Sequence, residues 1–154
     1  MTNLRAGRER QGQCLCGAVR LTAKQAAASV GACHCSTCRR WSGGPLMTIH
    51  CGPQVDIDGQ EYVGVYDSSP WAERGFCTQC GSNLFYRLKG TGDHYVMAGL
   101  FSENEQLVFA DQVFIDEKPA FYDFANQTKN MTGPELFAQV MAEKDSDQNN
   151  SDVD

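Results

Sequence analysis

Seven of the eight cysteines in this 154-residue chain lie in three short groups that are far apart in the sequence. In a reducing compartment, clustered cysteines are more often metal ligands than halves of disulfide bonds. A metal ion shared between two groups brings distant segments together, so these cysteines constrain the fold more than any other feature. The groups are Cys14 and Cys16 (CxC), Cys33, Cys35 and Cys38 (CxCxxC), and Cys77 and Cys80 (CxxC).

The spacing within the groups predicts which side chains face a metal. Residues i and i+2 of a strand share a face, so Cys33 and Cys35 point the same way and His34 points away from them. A CxxC turn brings two sulfurs about 3.5–4 Å apart, as tetrahedral zinc with Zn–S bonds of ~2.3 Å requires. Gly17 and Gly81 each follow a group, and we expect positive φ there so that the chain can turn. We expect His34 to be an outward residue or a neighbour of the ligands, and not a ligand itself.

Counting the ligands favours two metal sites. A closed structural zinc site takes four ligands, and the CxC and CxxC groups together supply four. The CxCxxC group then keeps three, which is the number of protein ligands typical of a catalytic zinc site.

Other arrangements of the cysteines stay open. The CxCxxC group with Cys51 could make a second closed site, and any two pairs could make a structural zinc ribbon without catalysis. A thioredoxin-type redox pair would need a βαβ context, which the sequence does not offer. In the favoured arrangement Cys51 is a buried free thiol and His50 is an ordinary strand residue.

Composition narrows the function classes. The first residues, MTNLRAGRERQGQ, are polar and charged, and no apolar run of membrane-spanning length occurs, so we expect a cytoplasmic protein without a membrane span. The formal net charge of −6 gives no basic surface for nucleic acid. The sequence is silent on oligomeric state.

The pattern of short apolar or alternating segments between Gly, Pro, Asp and Ser predicts an all-β domain. A helix is indicated late in the chain, where PELFAQVMAEK places Leu136, Phe137, Val140 and Met141 on one face. The predicted strands are 18–23, 29–34, 46–51, 54–59, 61–68, 82–90, 94–101 and 107–115.

We expect one domain over residues 13–143. Residues 1–12 have no apolar pattern and are predicted to be a flexible arm. Residues 144–154, KDSDQNNSDVD, are rich in Asp and poor in apolar residues, so we predict a disordered acidic tail.

Four segments together resemble the glutathione-dependent formaldehyde-activating enzyme family, which includes the centromere protein V-like proteins. All seven grouped cysteines are in place and in order, and the resemblance covers about residues 12–125. The segments are CLCGAVR (14–20), CHCSTCRRWSGGP (33–45), RGFCTQCGSNLFY (74–86) and DEKPAFYDF (116–124).

The resemblance implies the all-β tent fold of that family and two zinc ions per chain. Cys14, Cys16, Cys77 and Cys80 would hold a structural zinc, and Cys33, Cys35 and Cys38 would hold a catalytic one. The implied activity is that of a carbon–sulfur lyase, in which glutathione adds to formaldehyde to give S-hydroxymethylglutathione.

Two questions about the site stay open at the level of the sequence. Arg39, Arg40 or Arg74 could offset thiolate charge or hold a carboxylate of glutathione, or each could be a solvated surface charge. The alternative function is a non-catalytic zinc module that carries glutathione or another thiol, or that acts as an interaction domain.

Overall fold

A computed structural model describes residues 7–151, and strands dominate it. This confirms an all-β chain with a C-terminal helix. The strands are β1 (Arg8–Gln13), β2 (Arg20–Ala26), β3 (Ser29–Cys33), β4 (Leu46–Gly52), β5 (Val55–Asp58), β6 (Val63–Ser69), β7 (Ala72–Cys77), β8 (Asn83–Leu88), β9 (His94–Met97), β10 (Val108–Val113) and β11 (Lys129–Met131). The α-helices are α1 (Ser36–Ser42) and α2 (Gly133–Ser151), and 3₁₀ turns occur at Gln60–Tyr62, Ala98–Leu100 and Ile115–Glu117.

The described chain divides into two compact units. The first unit contains residues 7–31 and 47–109, and the second contains residues 32–46 and 110–151. Three strands, β3, β4 and β10, contribute residues to both units. The prediction of one domain over 13–143 stays a prediction.

The first unit contains two antiparallel arrangements of strands around one apolar core. Strands β1, β2 and β5 are neighbours in one sheet, and β4, β9, β8, β7 and β6 follow one another in the other. Side-chain alternation buries Leu21 and Ala23 of β2, whereas Thr22 between them is half-buried. Arg20 and Lys24, on either side of this pair, are exposed. The core is formed mainly by Val19, Leu21, Ile49, Leu84, Phe85, Val96 and Phe101.

The second unit combines a short parallel strand pair with the two helices. Strands β10 and β11 pair from Asp111 with Lys129 to Val113 with Met131. The main-chain N–H of His34, just after β3, donates to the carbonyl of Val113 over 3.1 Å. This bond fixes the end of β3 against β10 where the CxCxxC group begins.

Strand β1 overlaps the predicted flexible arm, residues 1–12, of which 1–6 lie outside the described residues. The strand has no apolar alternation, and backbone pairing with β2 holds it, from Arg10 with Ala23 to Gln13 with Arg20. Arg10 is buried, and its guanidinium donates to the carbonyl of Glu103 over 2.7 Å. Main-chain pairing and one buried polar side chain therefore hold residues 8–12 in a strand, although the polar composition of this segment predicts a flexible arm.

Helix α1 was not predicted, because a cysteine takes the place of the usual capping residue. The sulfur of Cys35 accepts a hydrogen bond from the N–H of Cys38 over 3.4 Å, which satisfies one free donor of the first turn. At the other end Gly43 has φ of 83°, and its N–H donates to the carbonyl of Arg39 over 2.8 Å. The helix is therefore seven residues long, with two of the grouped cysteines at its start.

Helix α2 confirms the predicted C-terminal helix, although its apolar face is mostly exposed. Phe137 and Met141 are 54% and 61% exposed, and Phe137 meets the ring of Phe114 edge-on. The helix runs to Ser151 and thus includes part of the predicted tail at 144–154, of which residues 152–154 lie outside the described chain. Neither helix of the described chain has the length and apolar character needed to cross a membrane.

Candidate functional site

Four cysteines meet in the first unit, as the sequence predicts. Cys14 and Cys16 follow β1, Cys77 ends β7, and Cys80 lies in the turn after it. The four sulfurs lie within 4.8 Å of one another, with 3.6 Å between Cys14 and Cys16 and 3.8 Å between Cys16 and Cys77. A tetrahedral zinc with ~2.3 Å bonds requires sulfurs about 3.8 Å apart. The donor set therefore fits a four-coordinate metal ion.

The turns that present these sulfurs need glycine. Gly17 and Gly81 both have φ of 79°, in the left-handed region, as expected from the sequence. The N–H of Gly17 donates to the carbonyl of Cys14 over 3.2 Å, and that of Gly81 to Cys77 over 2.8 Å. Two turns of the same kind thus bring the CxC and CxxC groups to one point.

Ser82 connects the two turns, and sequence reasoning missed its role. Its hydroxyl oxygen accepts a hydrogen bond from the N–H of Leu15 over 3.0 Å and lies 3.2 Å from the sulfur of Cys80. With Leu15 as its donor, the hydroxyl can give its own proton to the sulfur. This bond and nearby backbone N–H groups lower the pKa of Cys80 to about 5, which favours a thiolate.

Cys14 lies at the buried end of the same group. It is 1% exposed, and its sulfur accepts a hydrogen bond from the N–H of Val19 over 3.3 Å. Burial opposes ionisation, but the bonds from Val19 and from neighbouring cysteines outweigh it and lower the pKa of Cys14.

Three cysteines meet in the second unit, where β3 leads into α1. Cys33 is the last residue of β3, Cys35 caps α1, and Cys38 lies in its first turn. Their sulfurs also lie within 4.8 Å of one another. Hydrogen bonds to the Cys35 and Cys38 thiols, together with burial, raise the pKa of Cys33. Three thiols so close to one another can all be ionised only beside a cation, which compensates their charge. This donor set therefore also fits a metal ion.

His34 is not part of this sulfur group, as strand alternation predicts. Its side chain is completely buried, so it is a neighbour of the candidate ligands and does not point outward. Its ring nitrogens lie 2.7 Å from the hydroxyl of Tyr122 and 2.8 Å from Oε1 of Gln112. Burial lowers the pKa of His34, which favours the neutral ring.

The three candidate arginines differ in their surroundings. Arg40 is exposed, whereas Nε of Arg39 donates to the carbonyl of His34 over 2.9 Å. In the first unit, Arg74 is buried and its guanidinium lies 5.0 Å from the centre of the Tyr86 ring. Of the three arginines, only Arg40 is therefore a solvated surface charge.

Cys51 belongs to neither group of sulfurs. It is a buried free thiol in the apolar core of the first unit, and burial raises its pKa to about 12. This agrees with the expected free thiol and gives no support to a closed site that includes Cys51. His50 lies on β4, with Nε2 3.7 Å from a carboxylate oxygen of Asp93.

Comparison with known proteins shows the family to which the chain is similar. The family model of the glutathione-dependent formaldehyde-activating enzyme matches residues 9–117. A Schizosaccharomyces pombe protein named as an uncharacterized lyase is 39% identical over 134 residues, which cover 86% of this chain and 98% of that protein.

A crystal structure of a Rhodobacter sphaeroides protein has a similar fold. Its TM-score is 0.52 at 22% sequence identity, and the match covers 60% of this chain and 88% of that one. At this identity the likeness concerns the fold alone.

Proposed function

Because the chain belongs to the glutathione-dependent formaldehyde-activating enzyme family, we propose that it is a zinc-dependent carbon–sulfur lyase. It would add a thiol to a small aldehyde. Glutathione and formaldehyde are the substrates that the family name suggests, and S-hydroxymethylglutathione would be the product. The Schizosaccharomyces pombe relative carries the name of a lyase, which supports this class of reaction.

The difference between the two cysteine groups carries the proposal. The first group has four sulfurs within reach of one ion, whereas only Cys33, Cys35 and Cys38 form the second. Among the described residues no fourth Cys, His, Asp or Glu completes that second group. Four ligands make a closed structural site, and three leave room for a substrate.

Cys33, Cys35 and Cys38 would hold the reactive zinc as thiolates. When bound, a zinc ion with three protein ligands supplies a fourth position for a substrate thiol and favours its ionisation. Arg39 brings positive charge to His34, the residue between two of these cysteines, because its Nε donates to the carbonyl of His34 over 2.9 Å. Its charge would offset part of the excess negative charge of three thiolates and an incoming fourth.

The proposed reaction balances without an oxidant or a reductant. A bond forms between the thiol sulfur and the aldehyde carbon while the π bond of the carbonyl group breaks. The proton of the thiol ends on the former carbonyl oxygen. The reverse reaction releases the aldehyde and the thiol.

Cys14, Cys16, Cys77 and Cys80 would hold the second zinc ion and stabilise the fold. Hydrogen bonds from Val19 and Ser82 to the sulfurs support this role, because ligands ordered by neighbouring donors bind metal more tightly. None of the eight cysteines, which all lie within the described residues, forms a disulfide bond, and this is consistent with a reducing compartment such as the cytoplasm.

Exchange NMR on a mixture of glutathione and formaldehyde tests the activity. We expect zinc-loaded protein to accelerate adduct formation over the spontaneous reaction, and Cys35→Ser to abolish that acceleration. Cys51→Ser is a matched control, because it makes the same change outside both groups, and it should keep the activity. No acceleration by wild-type protein loaded with two zinc ions would contradict this substrate pair. Binding of glutathione without acceleration would favour the thiol-carrier alternative.

A further inference from the structure

His34 lies between two candidate ligands, and all of its polar atoms have partners. Its N–H donates to the carbonyl of Val113 over 3.1 Å, and its carbonyl accepts from Nε of Arg39 over 2.9 Å. Its ring nitrogens contact the hydroxyl of Tyr122 at 2.7 Å and Oε1 of Gln112 at 2.8 Å. A residue that is 0% exposed and bonded at all four atoms has one orientation available to it.

The hydrogen bonds around the His34 ring determine which ring nitrogen donates and which accepts. The amide nitrogen of Gln112 donates to the hydroxyl of Thr128 over 2.9 Å, and that hydroxyl donates to Asn130 over 2.6 Å. Oε1 of Gln112 therefore faces His34 as an acceptor, so Nε2 of the ring carries the proton. Nδ1 is left to accept the hydroxyl proton of Tyr122.

Tyr122 is itself fixed by its own segment. The ammonium group of Lys118 donates to the carbonyls of Pro119 and Tyr122 and lies 5.2 Å from the centre of the Tyr122 ring. The same ammonium group pairs with a carboxylate oxygen of Asp123 at 2.7 Å. The ring also packs against that of Phe124, with centroids 6.2 Å apart. These contacts all lie within the DEKPAFYDF segment (116–124), and none of them involves a cysteine.

We infer that His34 is a positioning residue for the three-cysteine group, and that Tyr122 and Gln112 hold it in place. The peptide units on both sides of His34 set the directions of the Cα–Cβ bonds of Cys33 and Cys35. A ring held at both nitrogens fixes those peptide units, and thus the two sulfurs, before a metal ion binds. The inference rests on the proposed function, because the sulfur positions matter for metal binding only if this group holds zinc.

Tyr122→Phe tests the inference, since it removes one hydroxyl and keeps the ring. Competition with a chromophoric chelator gives the zinc affinity of each site. We expect the weaker site to lose roughly tenfold in affinity, the lower end of the ~10–100-fold range for direct partners of a metal ligand, because Tyr122 acts through His34, while the tighter site stays unchanged. Tyr66→Phe is the control, because Tyr66 is 63% exposed on β6, and it should change neither affinity.

Gln112→Leu acts on the other nitrogen of the ring and should weaken the same site. Unchanged affinities, or equal weakening of both sites, in Tyr122→Phe and Gln112→Leu would overturn the inference. Wild-type protein that binds one zinc ion would instead contradict the proposed function. Wild-type protein with two zinc ions and variants with unaltered affinities would contradict this inference alone.

Discussion

Gly75 of β7 pairs directly with Phe85 of β8, and the ring of Phe85 lies across the glycine. A Cβ atom at Gly75 would fall 2.4 Å from Cζ of that ring. Phe85 is completely buried in the core of the first unit, so its ring has no space into which to move. The contact fixes β7 on the core two residues before the strand delivers Cys77.

Gly75→Ala should therefore destabilise the protein. We expect a loss of about 1–3 kcal/mol in the free energy of unfolding, the usual cost of overfilling a packed core. Urea denaturation of the zinc-loaded protein measures it. The control is Gly90→Ala, where an added Cβ would meet no atom within 4 Å, and its unfolding midpoint should match wild type. Equal midpoints for the two variants would contradict the packing described for Phe85.

Cys14→Ser should abolish cooperative folding. Cys14 is buried, and its sulfur bonds both to the N–H of Val19 and to the neighbouring thiol of Cys16. A structural zinc supplies folding free energy, so the loss of one of four ligands removes much of that stability. Circular dichroism during thermal unfolding measures the effect. Cys35→Ser is the comparison, and it should keep a cooperative transition, because Cys35 belongs to the group assigned to the reaction. Unfolding of both variants alike would refute the division into a four-cysteine and a three-cysteine site.

Cys51 should resist alkylation in the native protein. Burial raises the pKa of its thiol from an ordinary 9.0 to about 12, and the side chain is 1% exposed. Near neutral pH the thiol of Cys51 is therefore not ionised, and a reagent cannot reach it. Peptide mass spectrometry after iodoacetamide treatment should find Cys51 unmodified in native protein and modified in urea. Equal modification in both states would contradict the buried position of Cys51.

The same thiol predicts a pH dependence of stability. Well below pH 9 the thiol is protonated in the folded and unfolded states, so it does not affect their balance. Between about pH 9 and about pH 12 it ionises in the unfolded chain and not in the folded one, which favours unfolding. Stability should decline in this window, and Cys51→Ala should reduce the decline in pH-dependent urea titrations. An identical decline in the variant would assign it to other groups.

The cysteine spacing predicted which sulfurs lie together within each motif, because that geometry is local, and the four ligands of a closed zinc site then joined CxC to CxxC. The CxC and the CxxC group both lie in tight turns, and such a turn places its two sulfurs together whatever the rest of the chain does. The positive φ at Gly17 and Gly81 follows from the same turns. Strand alternation placed His34 on the side away from the sulfurs for an equally local reason.

Features that depend on distant partners could not be predicted in this way. Gln112 and Tyr122 lie 78 and 88 residues from His34 in the sequence, and nothing near His34 indicates them. Strands β1 and β7 were missed because Arg10 and Arg74 occupy buried positions where an alternating pattern calls for apolar residues. Helix α1 was missed because the sulfur of Cys35 forms its cap.

The central claim is that two cysteine groups hold two zinc ions with different roles. Native mass spectrometry of the zinc-loaded protein tests it most directly, because it counts the ions bound to each folded chain. Two zinc ions in the wild-type protein and one in Cys35→Ser are the predicted result. One zinc ion in the wild type, or two in Cys35→Ser, would contradict the claim.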